Sequence, residues 1–208
     1  MVRSDKAISS TLIRLGGLLA IVGGLAATTL GLLYVFQAWG MTLDFTAKAL
    51  LKGHYEGPIS TMLFIGVLIA IPALHFTQRR YYGGGGALFS AAAFAGLVLI
   101  PVGWFMPSVA VGAPLAIAGV LAASVGIVGL GMIVTISTRV LPWWCGIALI
   151  AGSPPGVGIL FIAISPLGMT GILPGEIFWA LAGIPWIVVG YAVFRAATQQ
   201  TQQPSRVK

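Results

Sequence analysis

The chain is built from long uncharged apolar runs separated by short polar connections. Six runs are long enough to matter: residues 11–39 (uncharged from Leu15 onward), 58–78, 87–106, 113–138, 141–165 and 174–194. The hydrocarbon core of a bilayer is roughly 30 Å thick and takes about 20 apolar helical residues to cross. No run carries a charge near its midpoint. The pattern therefore predicts an all-α fold, a polytopic transmembrane helical bundle of six spans forming one domain over residues 1–208. Residues 40–57 make the longest connection. There Phe45, Leu50 and Leu51 alternate with Lys48 and Lys52, which suits a short helix lying in the headgroup plane. Residues 196–208 form a polar tail. Pro58, Pro114, Pro142 and Pro174 lie at or next to predicted helix starts, where a missing N–H costs nothing. Pro72, Pro101 and Pro185 fall inside spans and predict local kinks.

Composition removes the competing classes. Apolar residues make up 58% of the 208 positions and charged residues 7%, against about 25% charged in a soluble domain. The net charge of +7 does not indicate nucleic acid, because the basic residues stand singly or in pairs at the ends of apolar runs. There they act as topology signals. With the N-terminus inside, nine basic residues (Arg3, Lys6, Arg14, Arg79, Arg80, Arg139, Arg195, Arg206, Lys208) fall inside and two (Lys48, Lys52) outside. That bias predicts both termini on the cytoplasmic face. The first apolar run is too long for a signal-peptide core of about 7–15 residues, so an uncleaved first span is expected. Trp39, Trp104, Trp143, Trp144, Trp179, Tyr81, Tyr82 and Tyr191 lie near span ends, as an aromatic belt requires.

The 29 glycines bear on packing. Gly16, Ala20, Gly24 and Thr28 form a small-residue stripe on the first span, and Gly112, Ala116, Val120 and Ser124 a weaker one on the fourth. Such stripes let helices approach closely in lipid, where no hydrophobic force drives association. Internal packing of one bundle is the favoured reading; a face for a homodimer or a membrane-protein partner is the alternative. The fifth span is interrupted by Ser153-Pro154-Pro155-Gly156. Two adjacent prolines remove two donors and clash with the preceding turn, so this span is expected to be irregular. It is read either as a structural kink or as a broken helix lining a cavity. Thr77–Gly83 and Thr138–Gly146 share arginine, an aromatic pair and a glycine, an echo that common interface rules also produce. The run Gly83–Gly86 lacks the residues of a phosphate loop and reads as a flexible connection into the third span.

Groups able to carry chemistry are few. Asp44, His54 and Glu56 sit together in the outside connection as three metal-ligand or acid–base candidates, although nothing in their spacing holds them in one geometry. His75, a turn before Arg79, reads as an interfacial histidine. Glu176 sits in the first turn of the last span, where the helix dipole favours a carboxylate. Cys145 reads as a small apolar filler. No cofactor or metal site is predicted, and no ionisable pair lies mid-membrane, which argues against ion-coupled transport.

Three segments carry a resemblance. They are Arg14-Leu15-Gly16-Gly17 entering the first span, Arg139-Val140-Leu141-Pro142-Trp143-Trp144 entering a late one, and Gly190-Tyr191-Ala192-Val193-Phe194-Arg195 ending the last. In these the chain resembles a loosely defined group of bacterial six-helix integral membrane proteins with no assigned activity. The resemblance implies a bacterial inner membrane and carries no site residues. The functional expectation is a non-enzymatic membrane subunit or scaffold. A small transporter or channel for a neutral or lipophilic solute, using the broken fifth span, is the alternative.

Overall fold

The computed structural model describes residues 2–39, 56–79, 81–137, 140–169 and 177–202. Seven helices account for nearly all of them: α1 (Val2–Ala38), α2 (Glu56–Gln78), α3 (Gly83–Trp104), α4 (Val109–Ile136), α5 (Trp143–Ala151), α6 (Pro154–Met169) and α7 (Phe178–Gln202). No strand occurs among the described residues. Helices α1, α2, α3, α4 and α7 are each long and apolar enough to cross a membrane, whereas α5 and α6 reach that length only as a pair bent by 73°. The expected irregular fifth span is therefore a break between two helices. The proposed headgroup-plane helix of the 40–57 connection lies outside the described residues.

Three boundaries differ from expectation for physical reasons. Gly83–Gly86 is the first turn of α3 rather than a flexible connection. Gly83 takes a left-handed φ of 63° to turn the chain, and the missing Cβ of Gly86 leaves the slot that the Tyr82 ring fills. Pro114 lies inside α4, which starts five residues earlier at Val109. The supposed polar tail from residue 196 continues as helix to Gln202, because Ala196 and Ala197 are buried against the bundle. Apolarity marks depth in the bilayer, and helices run on beyond it.

The bundle is held by glycine seams with a period of seven. On α1, Gly16 and Gly23 face α2, where an added Cβ would meet Ala73 and Ile69, and Met62 and Leu63, respectively. One residue further round, Gly17, Gly24 and Gly31 face α7, against Gly190 with Phe194, Gly183 with Ile187, and Ala180. On α3, Gly96 and Gly103 meet Gly119 and Gly112 of α4, and Gly126 of α4 meets Ala93. Gly131 of α4 meets Gly146 and Ile150 of α5. A seven-residue repeat keeps one seam facing its partner along a left-handed crossing. With glycine at the seam, backbones touch directly and gain dispersion contacts and weak Cα–H···O bonds. In every seam rising numbers on one helix meet falling numbers on the other, so α2 and α7 both run antiparallel to α1, α4 antiparallel to α3, and α5 antiparallel to α4.

The two stripes read from the sequence are thus divided differently. Gly16 and Ala20 face α2, while Gly24 and Thr28 face α7. Gly112 and Ala116 face α3, but Val120 is exposed. Two helix trios result, α1–α2–α7 and α3–α4–α5, joined through the α2–α3 turn and the contact of α5 with α7. One apolar core runs through both, including Leu74, Leu141, Cys145, Leu149, Val189 and Val193. The outer faces are apolar too: Ile117, Leu121 and Val125 of α4 and Ile159 and Ile162 of α6 are each more than half exposed.

Candidate functional site

The break between α5 and α6 is closed by its own residues. Ser153 is fully buried; its Oγ donates to the Ile150 carbonyl at 2.5 Å and accepts the Gly156 N–H at 3.2 Å. Ser153 is therefore the N-cap of α6, bonding the third helical N–H as caps do. Pro154 and Pro155 occupy the first two positions of α6, where neither lacks a donor the helix needs. The remaining N–H groups are engaged as well: Gly152 with Ala148 O at 2.8 Å, Ser153 with Ile150 O at 3.2 Å and Val157 with Ser153 O at 2.9 Å. From α7, the Trp186 indole N–H donates to the Gly152 carbonyl at 3.0 Å. The prolines themselves are exposed. No backbone N–H between Gly152 and Val157 is left to read a ligand.

Other hydroxyls in the spans are similarly engaged. Thr28, Thr77, Ser90, Ser124 and Thr135 each donate to the carbonyl four residues earlier, at 2.6–2.8 Å. Such back-bonding satisfies the hydroxyl within its own helix.

The unsatisfied groups lie elsewhere, in a row of which the sequence reading took up His75 and Tyr82 separately and missed Gln78. Gln78 is completely buried, and neither its Oε1 nor its Nε2 has a partner; the same holds for His75 Nδ1 and the Tyr82 hydroxyl. Positions 75, 78 and 82 are spaced three and four apart, which places them on one face of α2 and its continuation. Tyr82 extends that face through an N–H bond to Gln78 O at 3.3 Å. Burial pushes the Tyr82 phenol well above its ordinary value, with Cys145 adding to the shift. His75 meets Phe76 edge-on at 5.8 Å, and the Arg79 guanidinium lies over the Phe76 ring, 5.6 Å from its centroid. The 3–4 spacing was the available signal, masked by a segment that reads as an ordinary basic–aromatic interface. A buried, unpaired polar group costs about 1–3 kcal/mol, and an apolar isostere removes that cost. Gln78→Met is accordingly expected to raise the thermal unfolding midpoint of detergent-solubilised protein; an unchanged or lower midpoint would mean that Gln78 is satisfied in solution.

A groove of about 280 Å³ opens at this same arginine-bearing end of the bundle. Val140, Leu141, Pro142 and Trp144 form one wall, and Ala192, Arg195, Ala196 and Gln199 form the other. The second set has the i, i+3, i+4, i+7 spacing of one face of α7.

Of the remaining candidates, Asp44, His54 and Glu176 lie outside the described residues, and Glu56 is the first residue of α2. Whether Asp44, His54 and Glu56 meet is thus not a property of the described bundle. Among the described residues no group of three His, Cys, Asp or Glu side chains is placed to hold a metal ion. Comparison with family models, curated proteins and solved structures returned no match. The class is set by the fold itself: an all-helical membrane protein whose helices pack through glycine seams.

Proposed function

We propose that the chain is a non-enzymatic subunit or scaffold of a bacterial cytoplasmic membrane, crossing it six times with both termini inside. The observation that carries the subunit reading is the sealed break. Segments of this kind serve transport when their freed backbone groups point at a substrate, whereas here those N–H groups, the Ser153 hydroxyl and the Trp186 indole hold the chain's own backbone. Native mass measurement of protein extracted in mild detergent should give a defined complex, with a second copy or another membrane protein. A lone monomer under all extraction conditions would reject this reading. A transporter for a neutral or lipophilic solute stands second, favoured by the unpaired row His75–Gln78–Tyr82.

Six crossings are supported by the direction of α7. Because α7 runs antiparallel to α1, the chain must change sides between α4 and α7, and α5–α6 is the segment that can carry it across. At 1.5 Å per residue the two pieces are about 14 and 24 Å long. With α5 upright, a 73° bend would leave α6 almost flat and the pair short of a 30 Å core. With the bend shared, each half tilts by about 36° and the pair rises by about 30 Å. Tags fused to the two termini are therefore expected to be protected or digested together by protease in sealed vesicles. Opposite accessibility would require α7 to run parallel to α1 and would reject six crossings.

A further inference from the structure

We propose that the groove between α5 and α7 is a binding site for the phosphate of an anionic lipid. The proposal rests on the membrane reading of the fold but is independent of the subunit reading. Three observations place the ligand. The groove lies where the apolar spans end: Gln199 is the last residue of the membrane-length part of α7, and Pro142 and Trp144 flank the start of α5. That is the depth of the headgroups. Arg195 is exposed at the groove and has no ion pair among the described residues, in a chain with four acidic residues against eleven basic ones. A guanidinium that snorkels from an apolar helix toward this level offers two parallel N–H donors to a phosphate. Finally, the walls beside it are apolar, formed by Leu141, Ala192, Ala196 and the Trp144 ring.

An apolar wall beside the Arg195 guanidinium suits an amphiphile, with the phosphate on Arg195 and a chain along the wall. A free inorganic ion would gain nothing from that wall. Helix α5 also begins beside the groove without a side-chain cap on its first N–H groups, and a helix start favours negative charge. Basic pockets between spans on the cytoplasmic side are the kind of feature that selects headgroups.

The test is lipid titration of the full chain followed by native mass spectrometry, with phosphatidylglycerol and phosphatidylcholine as probes. Wild type is expected to retain phosphatidylglycerol about tenfold better than phosphatidylcholine, a difference of about 1.4 kcal/mol. Arg195→Gln should reduce retention to the phosphatidylcholine level, and Arg195→Lys should fall between, keeping charge but losing the paired donors. Gln199→Glu, which places a carboxylate at the groove and removes no cation, should also abolish the preference. Arg79→Gln, at the same end but outside the groove, should leave it intact. Equal loss in Arg79→Gln and Arg195→Gln would reduce the effect to diffuse positive charge and overturn the site. So would wild-type retention in Arg195→Gln. Displacement of the lipid by excess inorganic phosphate would identify a free-anion site and overturn the lipid assignment. Failure of the membrane reading would appear separately, as protein that does not float with phosphatidylcholine vesicles.

Discussion

Gly24→Leu is expected to prevent α1 and α7 from closing on each other, and Gly24→Ala to lower the thermal midpoint by roughly 3 °C. An added Cβ at Gly24 would lie 2.7 Å from the Gly183 carbonyl oxygen, 2.8 Å from Ile187 Cγ1 and 2.9 Å from the Ile187 N. Two of these are backbone atoms that cannot rotate away, so the helices must separate. Overpacking of this kind costs about 1–3 kcal/mol. Alanine's better helix propensity, about 1 kcal/mol, offsets part of it. A net loss near 1 kcal/mol corresponds to about 2–4 °C in a chain of this size. Leucine gains a similar propensity but adds three more carbons at the same close contact, so its overpacking outweighs that offset. The same substitution at Gly84 or Gly85 provides the control, because nothing lies within 4 Å of a Cβ there. Gly84→Ala should leave the midpoint unchanged or raise it slightly. If Gly24→Ala and Gly84→Ala behave alike, the seam does not stabilise the bundle. Detergent-solubilised thermal unfolding, with gel filtration for Gly24→Leu, reads the difference.

The seams show how much of this fold could be read beforehand. Hydropathy located every described span, because length and apolarity are what a bilayer selects. Helix ends were less legible, as at Val2 and Gln202, because a helix passing into water keeps its hydrogen bonds while its composition changes. Small residues were visible, but a stripe counted every four residues mixed two faces of α1. The repeat of seven at Gly17, Gly24 and Gly31 separates them. Pairing could not be read, since Gly16 and Gly17 are adjacent and only the fold decides which neighbour each meets. The row His75–Gln78–Tyr82 was hidden for a related reason: a glutamine directly before an arginine pair looks solvated until the turn buries it. Arg195 was read as a topology signal, which is compatible with the groove beside it.

The largest effect outside the seams should come from the anchors of the break, and the prolines should matter little. Ser153-Pro154-Pro155-Gly156 suggests that the prolines break the span. Their positions at the first two residues of α6 make them compatible with the helix they begin, so Pro154→Ala with Pro155→Ala is expected to change stability by less than about 1 kcal/mol, within the range of exposed helix starts. Ser153→Ala removes the cap bond to Gly156 and the bond to Ile150, at about 1–2 kcal/mol. Trp186→Phe leaves the Gly152 carbonyl without its buried indole donor, at about 1–3 kcal/mol. Both act on one bend, so their effects need not add. The double variant is expected to lose about 3 kcal/mol and, more diagnostically, to expose Cys145, three residues before α5's buried Ala148–Leu149 turn. Cys145 is the chain's single cysteine and is buried. Its rate of maleimide labelling in detergent therefore reports opening of α5 from α7 without any engineered probe. Fast labelling in Ser153→Ala/Trp186→Phe and slow labelling in the proline pair would establish that the bend is held by its anchors. The reverse order would return the break to the prolines, and with it the idea that the fifth crossing is only a kinked helix.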